Sequence, residues 1–481
     1  MYLTNVIIIT IGIAIFLNYP SNSRNITKYL SLVFSLILFL LSIITWIIYN
    51  PYESMFQFYF FIKNIKLSIH FGIDGISLLF IFLTTFLFPI CMLYNWNKVD
   101  SIKNEFYFIM VSMELFLLVI FSVQNLLLFY IFFEIILVPL FILIGINNYK
   151  TRRIHASLLL FLYTLFGSLF MLITLLYLYF NFGSLNYNTL YSHSVDFETQ
   201  KIFWILLFLS MSVKIPLFPF HIWLPEAHVE APTEGSVILA GVLLKLGIYG
   251  FIRILIPVFY EASVFFMPLI FSIATISGIY ASFSTLKQTD IKRIIAYSSI
   301  AHMSIGVVGL FTMQPVGLVG SILLMFSHGI VSGGLFLIIG MLYDRFKTKT
   351  IFYYSGITQL MPLISLFFFL FTLGNISFPG TSSFIGESMI MASIVDILPG
   401  IMFFLSIVLL ACTLYSLLIY NRVFFGITRD YNIKYSFDAT RREFHLIIPV
   451  ILLMLWIGIY PIPFIELIES NVLFMLFNST H

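Results

Sequence analysis

The run Ser212-Val-Lys214-Ile-Pro216-Leu-Phe-Pro219-Phe-His221-Ile-Trp-Leu-Pro225-Glu226-Ala-His228 decides how this chain is read. A lysine sits inside an apolar segment two residues before one proline, and a second proline follows three residues later. Pro216 has no N–H to donate and its ring clashes with the preceding turn, so the helix is predicted to break there. Freed carbonyls and an ammonium group then share one level of an apolar layer. Irregular backbone is tolerated at that depth only where it is packed in protein or lines a polar cavity. Broken helices beside intramembrane charge point to an ion site. The expectation is a pathway for protons or cations.

Composition sets the class around this stretch. The 481 residues are 60% hydrophobic and only 9% charged, with a mean hydropathy of +1.05. Several stretches exceed the roughly 18 apolar residues that can span a bilayer, which excludes a soluble domain. The first apolar run, about 6–17, lacks a basic leader and a small-residue cleavage site and is read as a span. Cys91 and Cys412 are the two cysteines, each in an apolar run, so neither a disulfide framework nor a cysteine metal site is expected. A net charge of +3 does not suggest a nucleic-acid partner. The abundance of Phe (56) and Tyr (27) fits an AT-rich organellar genome.

Outward from the lysine break, the chain reads as an all-α polytopic membrane protein with fourteen transmembrane helices. They are predicted near 3–18, 29–49, 73–94, 105–122, 125–146, 156–180, 202–224, 234–257, 263–285, 293–312, 316–342, 362–394, 400–421 and 444–465. Lengths near twenty suit an apolar core about 30 Å thick. The 362–394 segment is long enough to hold an internal break. Basic residues test this count. Loops after odd-numbered spans hold 18 of the 24 Lys and Arg, whereas loops after even-numbered spans hold Lys63, Lys66, Lys201 and, at a helix end, Arg253. By the positive-inside rule the odd loops face the cytoplasm or matrix and both termini face the other side. A faint internal repeat relates Pro139–Gly145 to Gly334–Gly340, an offset of 195 residues. A five-span offset would place the copies in opposite orientations.

Ionisable groups inside the spans carry the chemistry. Each costs about 2.5–3.5 kcal/mol to insert, so a chain this apolar keeps few without reason. The list is Glu114, Glu134, Lys214, Lys245, His302, His328 and Glu387. Glu134, five residues before Pro139, is either a carboxylate pairing with a lysine across a helix interface or a structural ion pair. Lys214 is its natural partner. A lysine whose carboxylate neighbour moves by a few ångströms can switch between holding and releasing a proton. Lys245 is flanked by Gly241, Gly247 and Gly250, which allow close approach and leave room for water. His302 and His328 suit a relay because histidine titrates near neutrality, although a lone histidine is more often a satisfied hydrogen-bonding residue. Glu387 follows the polar, Gly/Pro-containing run Gly374–Gly386, read as the second broken helix, and reads as the far gate. Glu114 has no helix breaker beside it and reads as a structural or interface residue. His221, Glu226, His228 and Glu230 match no zinc template.

The runs Lys214–Thr233 and Gly235–Lys245 resemble the antiporter-like membrane subunits of respiratory NADH:ubiquinone oxidoreductase. Leu128–Glu134, Lys287–His302 and Phe378–Glu387 carry the same likeness, which covers roughly residues 70–465. The resemblance implies two inverted five-helix repeats, here 105–257 and 258–421, preceded by helices in 1–104 and followed by 422–481. It implies a coupling pair, Glu134 and Lys214, then Lys245, His302 and His328, and an exit residue at Glu387. That exit residue is lysine in most of the family and glutamate in one branch, which this sequence matches.

The resemblance also implies a mitochondrial inner-membrane location and neighbouring antiporter-like and other membrane-arm subunits, with lipids such as cardiolipin as further partners. No cofactor is expected on this chain. It has neither a G-x-G-x-x-G unit nor a cysteine cluster. NADH, FMN, iron–sulfur clusters and ubiquinone are therefore expected in partner subunits. The expected mechanism is that quinone reduction elsewhere opens or closes the Glu134–Lys214 pair, after which a proton passes by Lys245 and the histidines to Glu387. Two alternatives remain at this point: an Mrp-type cation/proton antiporter subunit, and an inert membrane scaffold.

Overall fold

A computed structural model describes residues 24–62, 69–96, 104–145, 151–428 and 437–479. The span predicted at 3–18 lies outside them. Among the described residues eleven helices are long and apolar enough to cross a membrane. They coincide with eleven of the predicted spans. The other two described spans are each broken, as the prolines and glycines require.

The described residues divide into two compact units. Unit 1 falls within Met1–Lys214, Leu246–Val264 and Glu466–His481. It holds α1 (Arg24–Ile48), a hairpin of β1 (Gln57–Ile62) and β2 (Ile69–Ile73), α2 (Gly75–Tyr94) and α3 (Asn104–Ser122). The strands pair antiparallel with Phe60 opposite Phe71, in a stretch read from sequence only as a loop. Asp74 ends the hairpin and caps α2 reciprocally with Ser77. Next come α4 (Leu126–Gly145), α5 (Thr151–Phe182) and α6 (Phe197–Lys214). Asn125 starts α4 by accepting the N–H groups of Leu127 and Leu128. Pro139 cannot donate back to Ile135, and α4 is interrupted at Ile136, two residues past Glu134. α6 stops at Lys214, immediately before Ile215-Pro216.

Unit 2 comprises Ile215–Lys245 and Phe265–Ile465. It opens with the short α7 (Trp223–Glu230), followed by α8, the long helix Thr233–Val258. The chain returns to unit 1 inside α8, after Lys245. The long helices that follow in unit 2 are α9 (Met267–Lys287), α10 (Ile291–Leu310), α11 (Pro315–Phe346), α12 (Pro362–Asn375), α13 (Ser382–Ile397), α14 (Pro399–Phe424) and α15 (Arg441–Ile459). α11 is buried almost end to end. α13 lies directly on it where Gly386 faces the Leu324 backbone. The α12–α13 break holds Ser377 at φ 61° and Gly380 at φ 93°, conformations that no helix can contain. At one end of the unit Arg345 makes a two-pronged ion pair with Glu443, 3.0 and 2.7 Å, and Glu443 forms a capping box with Thr440.

The last helix, α16 (Ile462–Ser479), lies almost wholly beyond the last span predicted, 444–465. Pro461 and Pro463 look like terminators, yet proline fits the first turn of a helix, where its missing N–H has no intrahelical partner. Leu467, Ile468, Asn471, Val472 and Met475 form its buried stripe.

Candidate functional site

In unit 1 the structure places Glu134 and Lys214 on adjacent ground without a direct ion pair. Lys214 Nζ is buried, points at the Phe133 carbonyl oxygen at 3.5 Å and stands 4.2 Å above the Phe133 ring. Glu134 is half-buried, lies within electrostatic reach of Lys214 and sits beside the Ser168 hydroxyl. Its Oε1 has no hydrogen-bond partner among the described residues. The pair is thus open, with the lysine held one residue short of its carboxylate. The α4 interruption and the end of α6 are what bring both groups to irregular backbone.

In unit 2 four of the predicted residues form one buried series. Lys245 follows a π-turn at Leu239–Leu243, which widens the helix, and its Nζ bonds back to the Ala240 carbonyl. The same Nζ lies 3.0 Å from His328 Nδ1. As an ammonium, Lys245 donates there and the His328 ring proton is on Nε2; as an amine, it can accept. The His328 and His302 ring centroids are 5.7 Å apart. His302 Nδ1 lies 3.0 Å from Glu387 Oε1. Lys245, His302, His328 and Glu387 are each 5% exposed or less, so every step of the series is shielded from bulk solvent. An ammonium, two imidazoles and a carboxyl at these spacings can pass a proton in either direction, with water completing the gap between the rings.

Two further buried groups stand apart from the series. His228 was weighed only as a metal ligand. It is fully buried, stacks on Phe336 at 4.7 Å, and neither ring nitrogen has a partner among the described residues. It lies within electrostatic reach of Lys245, Lys292 and His328. Its position after the lysine break was the available signal. Glu114 is fully buried with neither oxygen hydrogen-bonded. Among the described residues no group of three or more His, Cys, Asp or Glu could hold a metal ion.

Residues 123–413 match the family described as "NADH:quinone oxidoreductase/Mrp antiporter, TM", the class these broken helices and buried lysines define. The chain is 44% identical over 474 residues to NADH-ubiquinone oxidoreductase chain 4 of Chondrus crispus, covering 98% of this chain and 96% of that one. It is 44% identical to the protein of the same name from Marchantia polymorpha, covering 96% and 94%. The chain belongs to the family of NADH-ubiquinone oxidoreductase chain 4. Its fold is shared by a chain of respiratory complex I from Thermus thermophilus with bound NADH, with a TM-score of 0.90, 24% identity and 99% of each chain covered. A chain of the Mrp complex from Dietzia sp. DQ12-45-1b matches with a TM-score of 0.87, 17% identity and coverage of 98% and 96%.

Proposed function

We propose that this chain is a proton-translocating membrane-arm subunit of mitochondrial NADH:ubiquinone oxidoreductase. It would use Glu134, Lys214, Lys245, His302, His328 and Glu387 to move protons while quinone is reduced elsewhere in the complex. The observation that carries the reading is the buried Lys245–His328–His302–Glu387 series with its two 3.0 Å contacts. Four ionisable groups buried in an apolar interior oppose folding unless they are used or fully paired, and His302 Nε2 has no partner among the described residues. The open Glu134–Lys214 pair supplies the switch. When the carboxylate closes on the ammonium the proton is held; when it withdraws, the proton is released towards the series.

The architecture that goes with this reading has fourteen helices. Two inverted five-helix repeats span 105–257 and 258–421, in an inner-membrane protein with both termini on the intermembrane-space side. NADH, FMN, iron–sulfur clusters and ubiquinone would belong to partner subunits, with neighbouring antiporter-like subunits and cardiolipin against this chain.

A mild-detergent native gel stained for NADH dehydrogenase activity and probed for this chain comes first. Co-migration with a large, active band is expected. Migration in a small, inactive band would favour a cation/proton antiporter subunit, to be followed by sodium- and proton-flux assays. Within the assembled complex, Lys214→Met and Glu134→Gln are expected to lower the proton-to-electron ratio. An unchanged ratio in both variants would sink the proposal.

A further inference from the structure

Unit 1 contains a second buried charge cluster that proton transfer through the six residues does not use. Arg253 ion-pairs with Asp74, and the two side chains are 1% and 3% exposed. The guanidinium carbon lies 5.1 Å from the Phe56 ring centroid and 5.2 Å from that of Tyr249. The Tyr191 hydroxyl donates to the Arg253 carbonyl at 2.8 Å, within a second π-turn at Phe251–Leu255. Tyr187 lies within electrostatic reach of Arg253, Asp74, Tyr191 and Tyr249. Three polar atoms of this region, Arg253 Nε, Tyr187 Oη and Gln124 Nε2, are buried with no partner among the described residues. Buried polar groups left over in this way are ordinarily satisfied by internal water. The cluster is therefore a buried polar site around a fixed cation, with three groups left for water to satisfy.

Its depth is set by side-chain register. The Phe208 and Phe251 rings stack at 5.7 Å, and Trp204 Nε1 donates to Ser263 Oγ at 2.9 Å. Arg253 is thus level with about Phe208 on α6, six residues or roughly 9 Å from Lys214 along that helix. It lies towards the end of unit 1 that carries the hairpin, because Asp74 is the residue that joins β2 to α2.

We propose that Arg253, held by Asp74, is a proton block between the Glu134–Lys214 pair and the hairpin face of unit 1. Passage of a proton along a hydrogen-bonded wire needs members that both accept and donate. Tyrosine hydroxyls and water do both. Arginine has five donors, no acceptor and no accessible neutral form, and an ionised Asp74 only accepts. A wire running outward from Lys214 through water and the tyrosines meets a group that cannot relay. The pair is placed to keep a proton on Lys214 from escaping before it is handed on. This inference rests on the proton-translocating reading above.

The test is passive proton conductance of the purified complex in proteoliposomes, with no NADH present, a potassium diffusion potential imposed and an internal pH dye as readout. The double variant Arg253→Gln/Asp74→Asn keeps a neutral hydrogen-bonding pair and is expected to raise conductance at least about tenfold, the change that about 1.4 kcal/mol of barrier represents. Adding Lys214→Met to the double variant is expected to remove the leak. Where the double variant does not assemble, Arg253→His replaces it, retaining a partner for Asp74 and supplying a ring that can relay.

An assembled double or His variant as tight as the native complex overturns the proposal. So does a leak that survives Lys214→Met. Normal pumping by Lys214→Met alone counts instead against the pumping reading, so the two failures are separable.

Discussion

Gly386→Ala moves the series without removing any of its members. Gly386 immediately precedes Glu387, and a Cβ there would sit 2.7 Å from the Leu324 backbone nitrogen, 2.8 Å from Leu324 Cα and 2.9 Å from the Gly320 carbonyl oxygen. All three neighbours are backbone, so no side chain can rotate away. Ordinary contact begins at 3.4 Å, so α13 must retreat from α11 by about 0.7 Å. A shift of that size along the His302–Glu387 contact would stretch it from 3.0 Å to about 3.7 Å, past hydrogen-bonding range. Overpacking costs about 1–3 kcal/mol, and replacing glycine in a helix returns about 1 kcal/mol. Net destabilisation is therefore at most about 2 kcal/mol, and the complex is expected to assemble. The proton-to-electron ratio of proteoliposomes, measured during NADH oxidation, is expected to fall. Gly400→Ala, where an added Cβ meets nothing within 4 Å, is the control. A native ratio in Gly386→Ala with a melting temperature lowered by the clash would refute the claim that the His302–Glu387 spacing matters.

Lys245→Met removes the donor to His328 and the Ala240 carbonyl, so the proton-to-electron ratio should drop while the chain still incorporates, as judged by native gel. Glu443→Gln leaves the part-buried Arg345 guanidinium without its carboxylate and should cost about 1.5–3 kcal/mol, the range for hydrogen bonds to a charged group, visible as a lower melting temperature. Asn471 accepts from the Gly75 N–H and the Tyr49 hydroxyl and donates to the Ser54 carbonyl. Asn471→Leu strands both donors in the interior and should cost about 2–5 kcal/mol, with faster hydrogen exchange at the start of α2 as the local readout.

Legibility in the sequence followed the range of the interaction. Pro216 acts on the turn before it, and α6 does end at Lys214. Gly374–Gly386 breaks its own helix, and the break sits where the glycines and Pro379 required it. Apolar length located the spans because it too is a local property. The Lys245–His328 and His302–Glu387 contacts join residues 83 and 85 positions apart, and nothing local announces them. The ionisable residues were legible as a set because each is costly in an apolar run, whereas their order was not. Arg253 shows the limit. It was read as a residue at a helix end, and its partner Asp74 is 179 positions away, at the start of the 73–94 span and just past a hairpin that was not foreseen. The π-turns on either side of Lys245 leave no mark in the hydrophobic pattern, since one extra residue in a wholly apolar stretch changes no periodicity.

The bond between Gly75 and Asn471 spans 396 residues of chain. At about 5–20 residues per second of synthesis, the amide at the start of α2 waits roughly 20–80 s for its acceptor to be made. Through that interval a nascent chain already threaded into the membrane carries an unmet donor and an uncovered α2 end. Completion of unit 1 is thus a late event in biogenesis, even though most of its residues are translated first. A ribosome that stalls just before α16 leaves the hairpin end of α2 uncovered, a mark by which insertion factors and membrane proteases could tell that product from the finished one.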